Sequence, residues 1–141
     1  MWAADRLTGR ESPAQREESD MITVSIHYTI DASKCKDFEV YARRWPEPIR
    51  RCGGNLLGYF LPTKLAGATN FALALIEFRD LAAYERYREA LMKDPEAVAN
   101  VAAADESKCI LVEDRSVLRR VEPKGEREHQ TEGRPKGARN G

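Results

Sequence analysis

The sequence predicts an α+β fold, a single antiparallel sheet laid down in the order β-α-β-β-α-β with an extra short helix before the last strand. Three stretches carry that reading. Ile22 to Ile30 alternates apolar and polar residues with a period of two. Phe38 to Cys52 repeats apolar residues every three or four positions and stops at Gly53-Gly54. Asn70 to Phe78 is apolar at nearly every position.

In the first strand Ile22, Val24, Ile26 and Tyr28 alternate with Thr23, Ser25, His27 and Thr29, which gives one greasier face. Asp31 and Ser33 supply N-cap chemistry for the helix that follows. Its apolar stripe runs through Phe38, Tyr41, Ala42, Trp45, Ile49 and Cys52, and Pro46 and Pro48 are expected to kink or interrupt it. Gly53 and Gly54 can take the positive φ that ends a helix. Leu56 to Leu61 then reads as a second strand with Gly58 inside it, where a glycine leaves room for a close neighbour. After a turn at Ala66-Gly67, the apolar third strand is expected to be central and covered on both faces. Asp80 caps a helix that buries Leu81, Tyr84, Tyr87 or the Arg88 stem, and Leu91. Asp94-Pro95, a cap followed by proline at the first helical position, opens the short extra helix through Val98, Val101 and Ala102. The last strand runs from near Lys108 through Ile110 and Val112 toward Leu118. This is the ferredoxin-like order.

Such a sheet packs helices on one side and leaves the other bare, yet these strands offer apolar residues to both faces. A second copy is expected to cover the bare face, two sheets closing into the shared barrel of a homodimer.

Composition bounds the partners. The 141 residues carry 23 basic and 23 acidic side chains, so nothing points to nucleic acid. Residues 1–20 hold few apolar side chains, and 123–141 almost none that could be buried; both are expected to be disordered around a domain spanning 21–122. Met21 directly before the first strand suggests that residues 1–20 are an upstream extension. No apolar run is long enough to cross a bilayer and no h-region follows the N-terminus, so a cytoplasmic protein without membrane association is expected. Cys35, Cys52 and Cys109 form neither a CxxC pair nor a zinc spacing and read as reduced structural thiols. The Gly53-Gly54 pair runs from helix to strand, the reverse of a phosphate loop. Glu113 and Asp114 are adjacent on a strand and point to opposite faces, which rules them out as a hydrolytic pair. Neither a metal nor a cofactor is expected.

Lys34, Phe38, Pro48, Cys52-Gly53-Gly54, Leu56, Gly58 and Tyr59, followed by Asp94-Pro95 and by Val112 to Arg119, resemble the NIPSNAP family in order and spacing over about Met21 to Val121. The resemblance implies a dimeric α/β barrel with a ligand cleft between sheet and helices, and no agreed reaction. Where that family tends to place polar residues on the first strand and His, Trp and Tyr along the third, this chain has Val24, Ile26, Ala74, Ile76 and Phe78.

The candidate site residues follow from side-chain chemistry. His27 is the histidine within the fold and the candidate general base; its rival role is that of a hydrogen-bonded strand residue. Tyr28, Tyr41 and Tyr59 can put phenols beside a pocket facing His27 and donate to a bound carbonyl or phenolate, or serve as amphipathic interface residues. Trp45 and Gly58 are cleft candidates as well, Trp45 with core packing as its alternative. Arg43, Arg44, Arg50 and Arg51 read as a solvated helix face rather than an anion site. Three functions are consistent with this set. The first is a homodimer binding a small, partly apolar molecule. The second is a cofactor-independent monooxygenase or isomerase for an aromatic or polyketide-like substrate, with His27 as base and Tyr59 as donor. The third is a non-catalytic scaffold. A cavity of roughly 300 Å³ or more beside His27 supports the first two; a space filled by Trp45, Phe60 and Leu75 supports the third.

Overall fold

A computed structural model describes residues 20–124. The expected disordered segments, 1–20 and 123–141, fall outside the described residues except for Asp20, Pro123 and Lys124.

The chain runs β1 (Ile22–Ile30), a 3-10 turn (Ala32–Lys34), α1 (Cys35–Arg43), α2 (Pro46–Arg51), β2 (Asn55–Phe60), β3 (Phe71–Phe78), α3 (Leu81–Lys93), α4 (Pro95–Ser107) and β4 (Ile110–Leu118). The sheet order is β2-β3-β1-β4 with every pairing antiparallel, the ferredoxin-like arrangement. The pleat sorts β1 as its alternation predicts: Val24, Ile26, Tyr28 and Ile30 are buried beneath the helices and His27 is exposed on the opposite face. Ser25, on that opposite face, is also buried.

The prolines interrupt the first helix as expected. Pro46 opens α2 at a position where its missing N–H leaves no intrahelical bond unmade. The apolar stripe nevertheless continues across the break through Phe38, Tyr41, Ala42, Trp45 and Ile49, all buried. Side chains buried as fully as Phe38 and Ile49 contribute about 2 kcal/mol each. Gly53 N–H donates to Arg50 O at 3.1 Å and Gly54 N–H to Ile49 O at 2.8 Å, the paired bonds of a Schellman motif, with Gly53 at φ +107°.

β3 is central, as expected, although within one chain it is covered on one face: Ala72, Ala74, Ile76 and Phe78 are buried, whereas Phe71 is 45% exposed. α3 is anchored by Tyr87, with Tyr84 and Leu91 packed against the core; Leu81, expected inside, is exposed. α4 corrects the expected short helix. It has 13 residues, as many as α3. Alanines at 97, 99, 102, 103 and 104 favour helix at little entropic cost and extend it. It buries Ala97, Asn100 and Ala104, while Val98 and Val101 are half-exposed. Among the described residues no helix is long and apolar enough to cross a membrane.

Candidate ligand cleft

Between the sheet and its helices lies a cavity of about 540 Å³. Ile26 and Tyr28 of β1, Tyr59 of β2 and Ile76 of β3 form its floor. Tyr41 and Trp45 wall one side, and Tyr87 and Leu91 the other, with Val98 and Val101 of α4 above. The sheet register explains the floor. Tyr28 stands opposite Ala72, and Tyr59 opposite Ala74, which is itself opposite Ile26. Two alanines in the central strand leave the space over which the phenol rings lie. A cavity of this size suits a small organic molecule.

The floor is aromatic and hydrogen-bonded. The Tyr28 and Tyr59 hydroxyls are 3.2 Å apart and their rings stack at 6.1 Å. Phe38 meets the Tyr28 ring edge-on at 4.9 Å, and Trp45 meets Tyr41 edge-on at 5.7 Å. Burial pushes the phenols of Tyr28 and Tyr59 far up, and neighbouring tyrosines add to it. Burial also raises Tyr41 to about 12. At neutral pH all three are uncharged hydrogen-bond donors and acceptors rather than bases. Trp45 Nε1 is buried without a hydrogen-bond partner among the described residues.

Charge collects at the rim. Arg115 Nη2 donates to Glu113 Oε2 at 2.6 Å, two residues apart on the same face of β4. Arg88 Nη1 donates to the Tyr84 hydroxyl at 3.1 Å. Burial alone would raise the Tyr84 phenol, but Arg88 and the nearby Arg115 outweigh it and hold its pKa below the ordinary value. Asp105 of α4 completes the rim.

Four of the six candidates, Tyr28, Tyr41, Trp45 and Tyr59, therefore meet in one cavity. His27 and Gly58 do not, which corrects the expected pairing of His27 with Tyr59. Successive residues of a strand point to opposite faces, so placing Tyr28 in the cleft turns His27 away from it. His27 lies opposite Leu73 and Asp114 on the far side of the sheet, edge-on to Phe71 at 5.8 Å. Gly58 sits opposite Leu75 on that same far side, where an added Cβ would meet the Phe60 ring at 3.0 Å. Its missing side chain makes room for Phe60, not for a ligand. The cavity accordingly opens across the sheet from His27. Phe60 and Leu75 do not fill it.

Sequence reading missed Arg88, Asp105, Glu113 and Arg115 as cleft residues. The available signal is Glu113-x-Arg115, opposite charges two apart and therefore on one face of a strand. Of the four arginines on the first helices, Arg43 pairs with Glu39 and Arg50 with Glu47 at exposed positions, a solvated face as expected, whereas Arg51 departs from that reading and bonds Glu96 and the buried Asp94. Among the described residues no group of His, Cys, Asp and Glu is arranged to hold a metal ion.

Solved structures share this architecture. A NIPSNAP-like domain protein from Burkholderia xenovorans is 23% identical with a TM-score of 0.62, covering 74% of this chain and 90% of that one. A NIPSNAP family protein of unknown function from Agrobacterium tumefaciens is 18% identical with a TM-score of 0.63, covering 73% and 90%. SnoaB, a cofactor-independent oxygenase from Streptomyces nogalater, is 15% identical with a TM-score of 0.53, covering 76% and 99%. At these identities the likeness shows the fold, the α+β ferredoxin-like arrangement. No curated protein matches the sequence. The NIPSNAP family model matches residues 24–123, nearly the whole described domain, and the chain belongs to the NIPSNAP family.

Proposed function

We propose that this protein binds a small, partly apolar, ring-bearing molecule in the cleft between sheet and helices. The observation that carries the reading is the cavity of about 540 Å³ whose aromatic floor keeps the Tyr28 and Tyr59 phenols neutral. Rings stack on such walls, and neutral phenols direct an oxygen of the ligand. Trp45 supplies its own probe. The chain has two tryptophans, so Trp2→Phe leaves Trp45 as the single indole. Titration with 2-naphthol should quench its fluorescence, and Val101→Phe, which fills the cavity from α4, should weaken binding by about tenfold or more. Equal affinity in the two proteins would put the probe elsewhere and end this reading.

A second reading, a cofactor-independent oxygenase or isomerase, is supported by the fold shared with SnoaB and by the same cavity. Tyr59 keeps its role as donor to a substrate oxygen. His27, across the sheet, loses its role as base, and Glu113 and Asp105 are the carboxylates that line the cavity. Oxygen uptake with polycyclic aromatic ketones, lost in Tyr59→Phe, would favour this reading; no uptake with any ring-bearing ligand that binds would remove it.

The open sheet face supports homodimerisation. Phe60, Phe71, Val112 and Leu118 are each about half exposed there. Three free cysteines fit the reducing cytoplasm, and cell fractionation tests that location.

A further inference from the structure

We infer that the molecule held in the cleft is an acid, whose carboxylate docks at Arg88 and Arg115 while its ring system lies over Tyr28 and Tyr59. This rests on the cleft reading and names the ligand class. Three observations support it. First, both guanidinium groups line the cavity and both lie beside the Tyr84 hydroxyl, Arg88 reaching it from α3 and Arg115 from β4. Second, the ion pair formed there is that of Arg115 with Glu113, which leaves the Arg88 guanidinium without a carboxylate partner among the described residues. Asp105, on α4, forms no ion pair with either arginine. Third, the Tyr84 hydroxyl beside them shows that the two guanidinium groups stabilise an oxygen: it accepts from Arg88 at 3.1 Å, the guanidinium carbon of Arg88 lies 5.9 Å from the Tyr84 ring centroid, and both arginines make the phenol more acidic.

The donor inventory points the same way. The guanidinium groups and the indole N–H of Trp45 donate only, the phenols can do either, and of the two lining carboxylates Glu113 is already engaged. A ligand that presents an acceptor to the guanidinium end matches that set. Guanidinium groups bind carboxylates through forked, charge-assisted hydrogen bonds, so the charge on the ligand should matter more than its shape.

The test uses the full chain carrying Trp2→Phe and two probes of nearly equal shape, 2-naphthoate and 2-naphthamide, titrated by Trp45 fluorescence. The acid should bind about tenfold more tightly than the amide, and raising the salt should narrow the gap. Arg88→Gln and Arg115→Gln should each weaken the acid by about five- to tenfold and leave the amide within about twofold. Arg115→Lys, which preserves a charge opposite Glu113, should retain part of the preference and guard against a folding defect. Equal binding of acid and amide, or a preference that survives the Arg88→Gln/Arg115→Gln double variant, overturns the inference. If the amide binds in a Val101→Phe-sensitive way and the acid binds no tighter, this inference falls and the cleft reading stands; if neither probe binds, both fall.

Discussion

Gly54 is so closely surrounded by Ile49, Ile76 and Phe78 that an added Cβ would sit 2.9 Å from Ile49 Cγ2 and 3.0 Å from Ile76 Cγ2. Gly53, its neighbour, has open space around it and a φ of +107°. The two glycines therefore fail for different reasons when replaced. Gly54→Ala overpacks the junction of α2 with the sheet and should cost about 1–3 kcal/mol, whereas Gly53→Ala meets backbone strain and should cost about 1 kcal/mol; urea denaturation of both variants ranks them. The cleft tyrosines make a prediction with a sign. Their folded pKa values lie above the phenol value of 10.0, so the folded state holds these protons more tightly than the unfolded chain. The resulting stability is fully present below about pH 10 and drains away as pH rises further. The urea midpoint should fall between about pH 10 and pH 12, and less steeply in Tyr28→Phe. In the ultraviolet titration Tyr84 should ionise before Tyr28, Tyr41 and Tyr59, and one of those three ionising first in the folded protein would contradict the assigned environments.

At the scale of elements, Asp94 ties three helices together. It ends α3, caps α4 by accepting from Glu96 N–H and Ala97 N–H at 3.0 Å each, and takes a forked pair of bonds from Arg51 at the end of α2, at 2.9 and 3.0 Å. Those bonds, led by Arg51, hold its carboxyl at about 2, below the ordinary 3.8. The stability they supply is present above about pH 4 and is lost as pH falls toward 2. Wild type should therefore lose urea resistance over that window more steeply than Asp94→Asn; parallel acid profiles would show that the lock is not where the pH dependence lies. The cap itself was legible, because Asp followed by Pro is a local signal. The length of α4 was not: its buried contacts are alanines and Asn100, which carry little hydrophobic periodicity, while its valines border the cavity. The period of two likewise placed Tyr28 and His27 on opposite faces of β1. What it left undetermined was which of those faces lines the cleft, because that depends on helices packing against residues distant in sequence. Arg88 and Arg115, 27 positions apart and on different elements, meet for the same tertiary reason.

On the scale of the whole molecule, the sheet separates two surfaces. Its helix face carries the cleft, and its open face presents rows such as Phe60, Leu73, His27 and Asp114, with Phe71, Thr29 and Val112 beside them. The half-exposed Phe60, Phe71, Val112 and Leu118 on this face are what a second copy would cover, and a stable pair needs to bury about 800 Å² on each partner. In that proposed dimer His27 would lie at the interface, away from the cleft. Leu73 stands near the middle of this face, between His27 and Phe60. Leu73→Asp would force a carboxylate without a cation partner into the contact, at a cost of about 3 kcal/mol or more. Light scattering should give twice the 16.0 kDa chain mass for wild type and the single mass for Leu73→Asp; a wild type of single mass at tens of micromolar would rule the dimer out. Because four strands separate the two faces, a folded Leu73→Asp monomer should still bind 2-naphthol within about twofold of wild type, since an apolar pocket of this kind is largely pre-formed within one chain. A loss of about tenfold or more, with the circular dichroism unchanged, would mean that the partner copy completes the cleft and that the sheet transmits dimerisation to the ligand.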